Sequence, residues 1–279
     1  MLVRRSDRAC DAPPLPSGHS THVTNDRRVA ALEMPTLLTT VVLSSLAPVA
    51  ATAVGATAAA VRPPGPALRS AIQHFAAGVV FSVVAVELLP DVTRVHDLFE
   101  IGWTFAAGVA LMLLLRWLTE RRAARSSPGE APAEGLAGAS PGQLVAVGID
   151  ILIDGLLVGI AFAAGAKEGV LLTLALSLEL LSLGLAVAST LGPGPRWRTV
   201  LVPTALSLLL VVGAVVGETV LRGASEHTLA GVLSFGAAAL LYLVTEELLT
   251  EAHETGETLA GTAMFFAGFL LFLLLGMAG

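Results

Sequence analysis

The sequence predicts an all-α integral membrane protein with eight transmembrane helices. Of its 279 residues, 54% are hydrophobic and only 14% are charged, against roughly a quarter charged in soluble domains. Eight apolar segments reach the ~20 residues that a helix needs to cross a bilayer. They lie near 36–60, 68–89, 98–118, 142–164, 168–191, 198–221, 228–250 and 256–278. The breaks RPPGP, PDVTRVHD, ERRAARSSPGEAPAEG and GPGPRW are rich in the proline, glycine and polar residues that stop helices. Only AAGAKEG separates the fourth segment from the fifth, so these two are expected to lie side by side as an antiparallel hairpin.

Orientation follows from the basic residues. With the first helix starting outside, Arg62, Arg69, Arg116, Arg121, Arg122, Arg125, Arg196 and Arg198 fall in the cytoplasm, against Arg94, Lys167 and Arg222 outside. The positive-inside rule favours this arrangement. It sets both termini outside a plasma or inner membrane, with a cytoplasmic loop at 119–141. Trp117 and Trp197 then sit at the inner interface and Trp103 at the outer one, the level indole rings prefer.

Residues 1–34 are rich in Pro, Ser, Thr and Asp, and their five arginines lie on the external side of this topology. They read as a disordered tail ahead of a transmembrane domain at 35–279. A translation start at Met34 is equally compatible.

The net charge of −6 and the absence of a basic helix argue against nucleic acid as a partner. The single cysteine, Cys10, precedes the first apolar segment, so a disulfide framework and a thiolate metal site are both excluded within one chain. Any metal ligand must be oxygen or imidazole.

The stretch DILIDG places Asp150 and Asp154 inside an otherwise apolar helix, and LSLELLSLG places Glu179 inside the next. Each carboxylate near a helix centre costs about 2.5 to 3.5 kcal/mol, so the three together cost on the order of 9 kcal/mol before compensation. Positions i and i+4 share a helix face, which puts the two aspartates about 6 Å apart. Like charges that close repel unless a proton or a cation lies between them. The interiors of the fourth, fifth and seventh segments contain no Lys, Arg or His, so a bound metal ion is the economical counter-charge. Protonation of one or more of the aspartates, or a packed polar pocket around them, is the competing explanation. Ser177 and Ser182 stand near Glu179. Gly155 and Gly159 form a small-xxx-small spacing that lets a neighbouring helix approach.

A second acidic set lies in FAAGVVFSVVAVELLPD (75–91) and FGAAALLYLVTEELLTE (235–251), which superpose without gaps and match Phe75 to Phe235 and Glu87 to Glu247. Under the predicted topology the two copies are inverted, as in secondary transporters with a midplane site. Glu87 would then serve the outer end and Glu246 with Glu247 the cytoplasmic end. Snorkelling near helix ends is the plain alternative for these three, and His253 reads as a solvated loop residue.

Taken in order, FAAGVVFSVVAVELLP, ILIDGLLVG, LLYLVTEELLTEAHE and the Arg-containing loop 119–141 resemble the ZIP family of divalent-metal transporters across residues 36–278. The resemblance implies eight helices in a 3+2+3 arrangement and metal bound between helices four and five. It also implies a cytoplasmic exit on helix seven, onto which Glu246, Glu247 and His253 map. Departures are specific. Asp150 and Ile151 stand where the family has a His-Asn pair, the fifth-helix motif is reduced to Glu179 with Ser182, and the sixth helix lacks Glu-Pro. One of the family's two metal positions is therefore expected to be missing or weakened. The remaining carboxylate and hydroxyl donors suit Mn²⁺ or Fe²⁺ better than Zn²⁺.

The expected partners are divalent metal ions, as substrate rather than cofactor, and the lipid bilayer, with a homodimer as a further option. An enzyme is not expected, because a CAAX-type membrane protease would need Glu-Glu-x-x-x-Arg, whereas Glu246-Glu247 is followed by Leu-Leu-Thr-Glu. A non-transporting protein that senses metal or serves a partner is the alternative.

Overall fold

The computed structural model describes residues 19–95, 97–125, 141–189, 196–253 and 258–278. All elements among the described residues are helical. They are α1 (His19–Val61), α2 (Pro66–Val83, a π turn at Val84–Leu88, then Leu89–Arg94), α3 (Leu98–Arg125) and α4 (Pro141–Ala164). They continue as α5 (Ala166–Ser189), α6 (Arg196–Leu221), α7 (Glu226–Leu243, a π turn at Val244–Leu248, then Leu249–Ala252) and α8 (Leu259–Ala278). Among the described residues, eight helices are long and apolar enough to cross a membrane. The chain is thus an all-α protein of the multi-pass membrane type.

Two boundaries differ from expectation. The helix of α1 begins at His19, although only Leu38–Val61 has the composition of a span; residues 1–18 of the expected tail lie outside the described residues. The third helix continues past 118 to Arg125. Its polar extension consists of good helix formers and is supported by the i,i+4 pair Arg116–Glu120. The rest of the expected loop, 126–140, lies outside the described residues.

Thr40–Gly279 form one compact unit. In a bilayer the hydrophobic effect does not draw helices together, so close backbone approach at small residues takes its place. Gly155 of α4 lies against the carbonyl of Leu210 on α6, and Gly213 of α6 against the carbonyl of Leu152 on α4. The hairpin glycines therefore serve α6, which packs on α4 far more extensively than α5 does. In the same manner α2 meets α8 through Gly78 and Gly268, α1 meets α5 through Gly55 and Gly184, and α3 meets α7 through Gly108.

Positions 160 apart have matching local structure. The main segments of α2 and α7 start at 66 and 226 (226 − 66 = 160), and their π turns start at 84 and 244 (244 − 84 = 160). Their N-caps, Gly65 and Ser225, are both extended, with φ −65° and −67°. Gly268 against the carbonyl of Phe75 corresponds to Gly108 against that of Phe235 (268 − 108 = 235 − 75 = 160). The π turns have a local use. Pro90 follows the first, where the wide turn relieves the clash of its ring with the carbonyl four residues back. At the second, Thr250 Oγ1 donates to the Thr245 carbonyl five residues back, at 3.4 Å.

Gly155→Ala is expected to cost about 1–3 kcal/mol, because its methyl group would meet the backbone of Leu210. Gly102→Ala, with nothing within 4 Å, should be neutral or slightly stabilising. Unfolding of both variants in mixed micelles checks this, and equal stability would refute the packing account.

Candidate metal-ion site

Asp150, Asp154 and Glu179 line one small cavity. Asp150 and Asp154 are the tenth and fourteenth residues of the 24-residue α4, and Glu179 is the fourteenth of the 24-residue α5. These positions fall near the middle of the two helices. The cavity has a volume of about 80 Å³, and its lining includes the three carboxylate residues and Ser182, closed on the α7 side by Leu243 and Leu248. That volume accommodates a cation with several waters. Asp154, Glu179 and Ser182 are all buried, at 3%, 5% and 3% exposure.

Leu243 immediately precedes the π turn of α7 and Leu248 ends it, so that irregularity forms one wall of the site. Ser182 Oγ donates to the Glu179 carbonyl at 2.7 Å, which leaves its oxygen lone pairs to face the cavity. Ser177 instead donates to the Thr173 carbonyl at 2.7 Å and is not part of the lining.

The spacing of the three carboxylates is looser than a fully formed ligand cage. Among the described residues, the trio of acidic or imidazole groups whose ligating atoms all lie within 4.8 Å of one another is Asp97, Glu100 and His227. Hard cations hold their oxygens at about 2.0–2.6 Å, so two ligands of one ion stand at most about 5 Å apart. The three carboxylates around the cavity are not such a group among the described residues, so an ion held by all three directly would have to draw them closer. The tighter trio lies on the surface at one end of α3 and α7. Asp97 there accepts the backbone N–H groups of Phe99 and Glu100 at 3.2 and 3.1 Å, as a cap of α3. His227 Nδ1 stands 3.8 Å from Glu100 Oε2.

Glu87 and Glu246 are not among the residues that line the cavity. Glu87, in the π turn of α2, is buried, with its Oε1 directed at Gly276 of α8. Lys167 Nζ donates to the carbonyl of the same Gly276 at 2.8 Å. Glu246, in the π turn of α7, is half-exposed and forms an ion pair with Arg116 of α3. The side chain of Glu247 lies outside the described residues. His253 is exposed as expected of a loop histidine, but its ring also stands edge-on to His74, with centroids 4.9 Å apart.

Among the buried polar groups that sequence reasoning passed over are two titratable ones. His74 of α2 is 3% exposed, and its Nδ1 lies 2.8 Å from the Ser70 carbonyl. Glu218 of α6 is 4% exposed, and its Oε1 accepts from Arg222 Nη2 at 2.8 Å. The i,i+4 spacing of Glu218 and Arg222 was a legible signal; nothing local marks His74.

No protein-family model matches the chain, and no curated protein matches it.

Proposed function

We propose that the chain carries divalent transition-metal ions of the Mn²⁺, Fe²⁺ and Zn²⁺ class across a plasma or inner membrane towards the cytoplasm. The observation that supports this most directly is the convergence of Asp150, Asp154 and Glu179 on one cavity between α4 and α5. A cation bound there neutralises charges that a bilayer otherwise penalises. The ligands are oxygen only, which favours Mn²⁺ or Fe²⁺ over Zn²⁺. On this reading the chain is a divergent ZIP-type carrier with a 3+2+3 arrangement, α1–α3 and α6–α8 being inverted copies around the α4–α5 hairpin. The 160-residue correspondence of helix starts, π turns and glycine contacts supports a repeat. Inverted halves that exchange conformations give alternating access to a central site. The arginine bias sets the Arg116–Glu246 end in the cytoplasm.

A second reading is a membrane protein of the same fold that binds metal without flux. The ion pair that holds Glu246 to Arg116, outside the cavity lining, is the observation that favours it. Flux measurements separate the two.

In proteoliposomes, Mn²⁺ uptake should fall at least tenfold in Asp150→Asn and in Asp154→Asn, each the equivalent of losing about 1.4 kcal/mol or more of binding. The metal-free variants should be as stable as the parent or more so, since each loses a repelling charge. Mn²⁺ at about 100 times its Kd should stabilise the parent by about 2.7 kcal/mol and the variants by much less. Parental transport rates in both Asn variants would exclude the site, and Mn²⁺-dependent stabilisation of the parent without uptake would select the second reading.

Asp150→His should raise Zn²⁺ uptake relative to Mn²⁺, because imidazole suits zinc. An unchanged ratio across a panel of both ions would mean that Asp150 does not touch the cargo.

A further inference from the structure

Arg116 stands near the end of the membrane span Leu98–Leu118 of α3, with its guanidinium spread across two carboxylates. Nε donates to Glu120 Oε1 at 2.9 Å on the same helix, and Nη1 donates to Glu246 Oε2 on α7. Its position is fixed by the way α3 and α7 are joined. Gly108 brings the α3 backbone against the Phe235 carbonyl of α7, and Ser234 Oγ donates to the Ile101 carbonyl at 3.1 Å. Two helices joined at those levels present the arginine to Glu246 continuously. The π turn at Val244–Leu248 adds a residue to the helical turn and so sets the direction in which Glu246 leaves α7.

The other end of the molecule provides an internal comparison. On α8, the position 160 after Arg116 is Gly276 (276 − 116 = 160). Glu87, in the matching π turn of α2, points its Oε1 at that glycine. The counterpart of Glu87 160 residues on is Glu247 rather than Glu246 (87 + 160 = 247), and the basic group at this end is Lys167, whose Nζ donates to the Gly276 carbonyl at 2.8 Å; at the Glu246 end an arginine grips the carboxylate directly.

We infer that Arg116 is a tethered competitor for the transported cation at the cytoplasmic end: it holds Glu246 until a divalent ion displaces it, and it returns when the ion leaves. This rests on the transport reading above and adds a residue that sets the affinity of the exit carboxylate. The chemistry suits an exchange. Glu120 and Glu246 share the one guanidinium of Arg116, so a divalent cation that displaces it meets a pair of carboxylates. Both partners of the Arg116–Glu246 pair are about half-exposed, at 51% and 45%, and such pairs are weak enough to open readily. Removing the tether should expose a carboxylate pair able to hold Mn²⁺ by itself.

The test uses the full chain in detergent with Mn²⁺ as the probe. In a background carrying Asp150→Asn, Asp154→Asn and Glu179→Gln, equilibrium dialysis gives the residual Mn²⁺ affinity while Arg116 is present. Adding Arg116→Gln should tighten that binding at least tenfold, and adding Glu246→Gln should abolish the gain again. No gain on Arg116→Gln, or a gain that survives Glu246→Gln, would overturn the inference. A second measurement needs no substitution. In the parent protein, modification of Arg116 by phenylglyoxal, read by mass spectrometry, should rise as Mn²⁺ is added, because the displaced guanidinium becomes accessible. If Arg116→Gln does not fold, this measurement decides, and labelling that does not change with Mn²⁺ overturns the inference. A parent chain that binds no Mn²⁺ at all would instead reject the transport reading.

Discussion

Three carboxylates meet around a cavity of about 80 Å³ in a molecule whose composition suits it to hydrocarbon. Each costs several kcal/mol to bury there without a partner charge. Two of them, Asp154 and Glu179, are more than nine-tenths buried. Solvent cannot screen such a group well, so its charge must be met by a proton or a cation. Much of the surrounding architecture can be understood as holding that unfavourable arrangement in place: the α4–α5 hairpin brings the acids together, and the packing of α6 and α7 encloses them.

Glycine makes the enclosure tight. The backbones of α4 and α6 touch at Gly155 and Gly213, and the pairs α2–α8 and α3–α7 touch at matching positions. Contacts of this kind hold the paired backbones close, so a motion that opens the cavity is expected to move helices as pairs. The two π turns are the exceptions to regularity in α2 and α7, and an acidic residue stands in each. Irregular helical turns concentrate at functional positions because they free carbonyls and redirect side chains. Here one of them also supplies a wall of the carboxylate cavity through Leu243 and Leu248.

The eight spans were legible because length and apolar content suffice to mark a membrane helix. The spacing of Asp150 and Asp154, and the hairpin that brings Glu179 to them, were legible for the same local reason. What was not legible depends on contacts between distant residues. The small-xxx-small motif announced a close neighbour for α4 but not that the neighbour was α6. The ion pair of Arg116 with Glu246 joins residues 130 apart, and no periodicity encodes it. The same holds for the edge-on contact of His74 and His253. The extension of α3 to Arg125 was missed because polarity was read as loop, although arginine and glutamate are good helix formers at an interface.

The central claim, an oxygen-donor cation site between α4 and α5, is tested most directly by electron spin-echo spectroscopy of Mn²⁺ bound to the purified protein. The predicted spectrum has deuterium modulation from coordinated water in D₂O and no ¹⁴N modulation, and the bound signal disappears in Asp154→Asn. Directly coordinated nitrogen, or a bound signal that persists unchanged in Asp154→Asn, would contradict it.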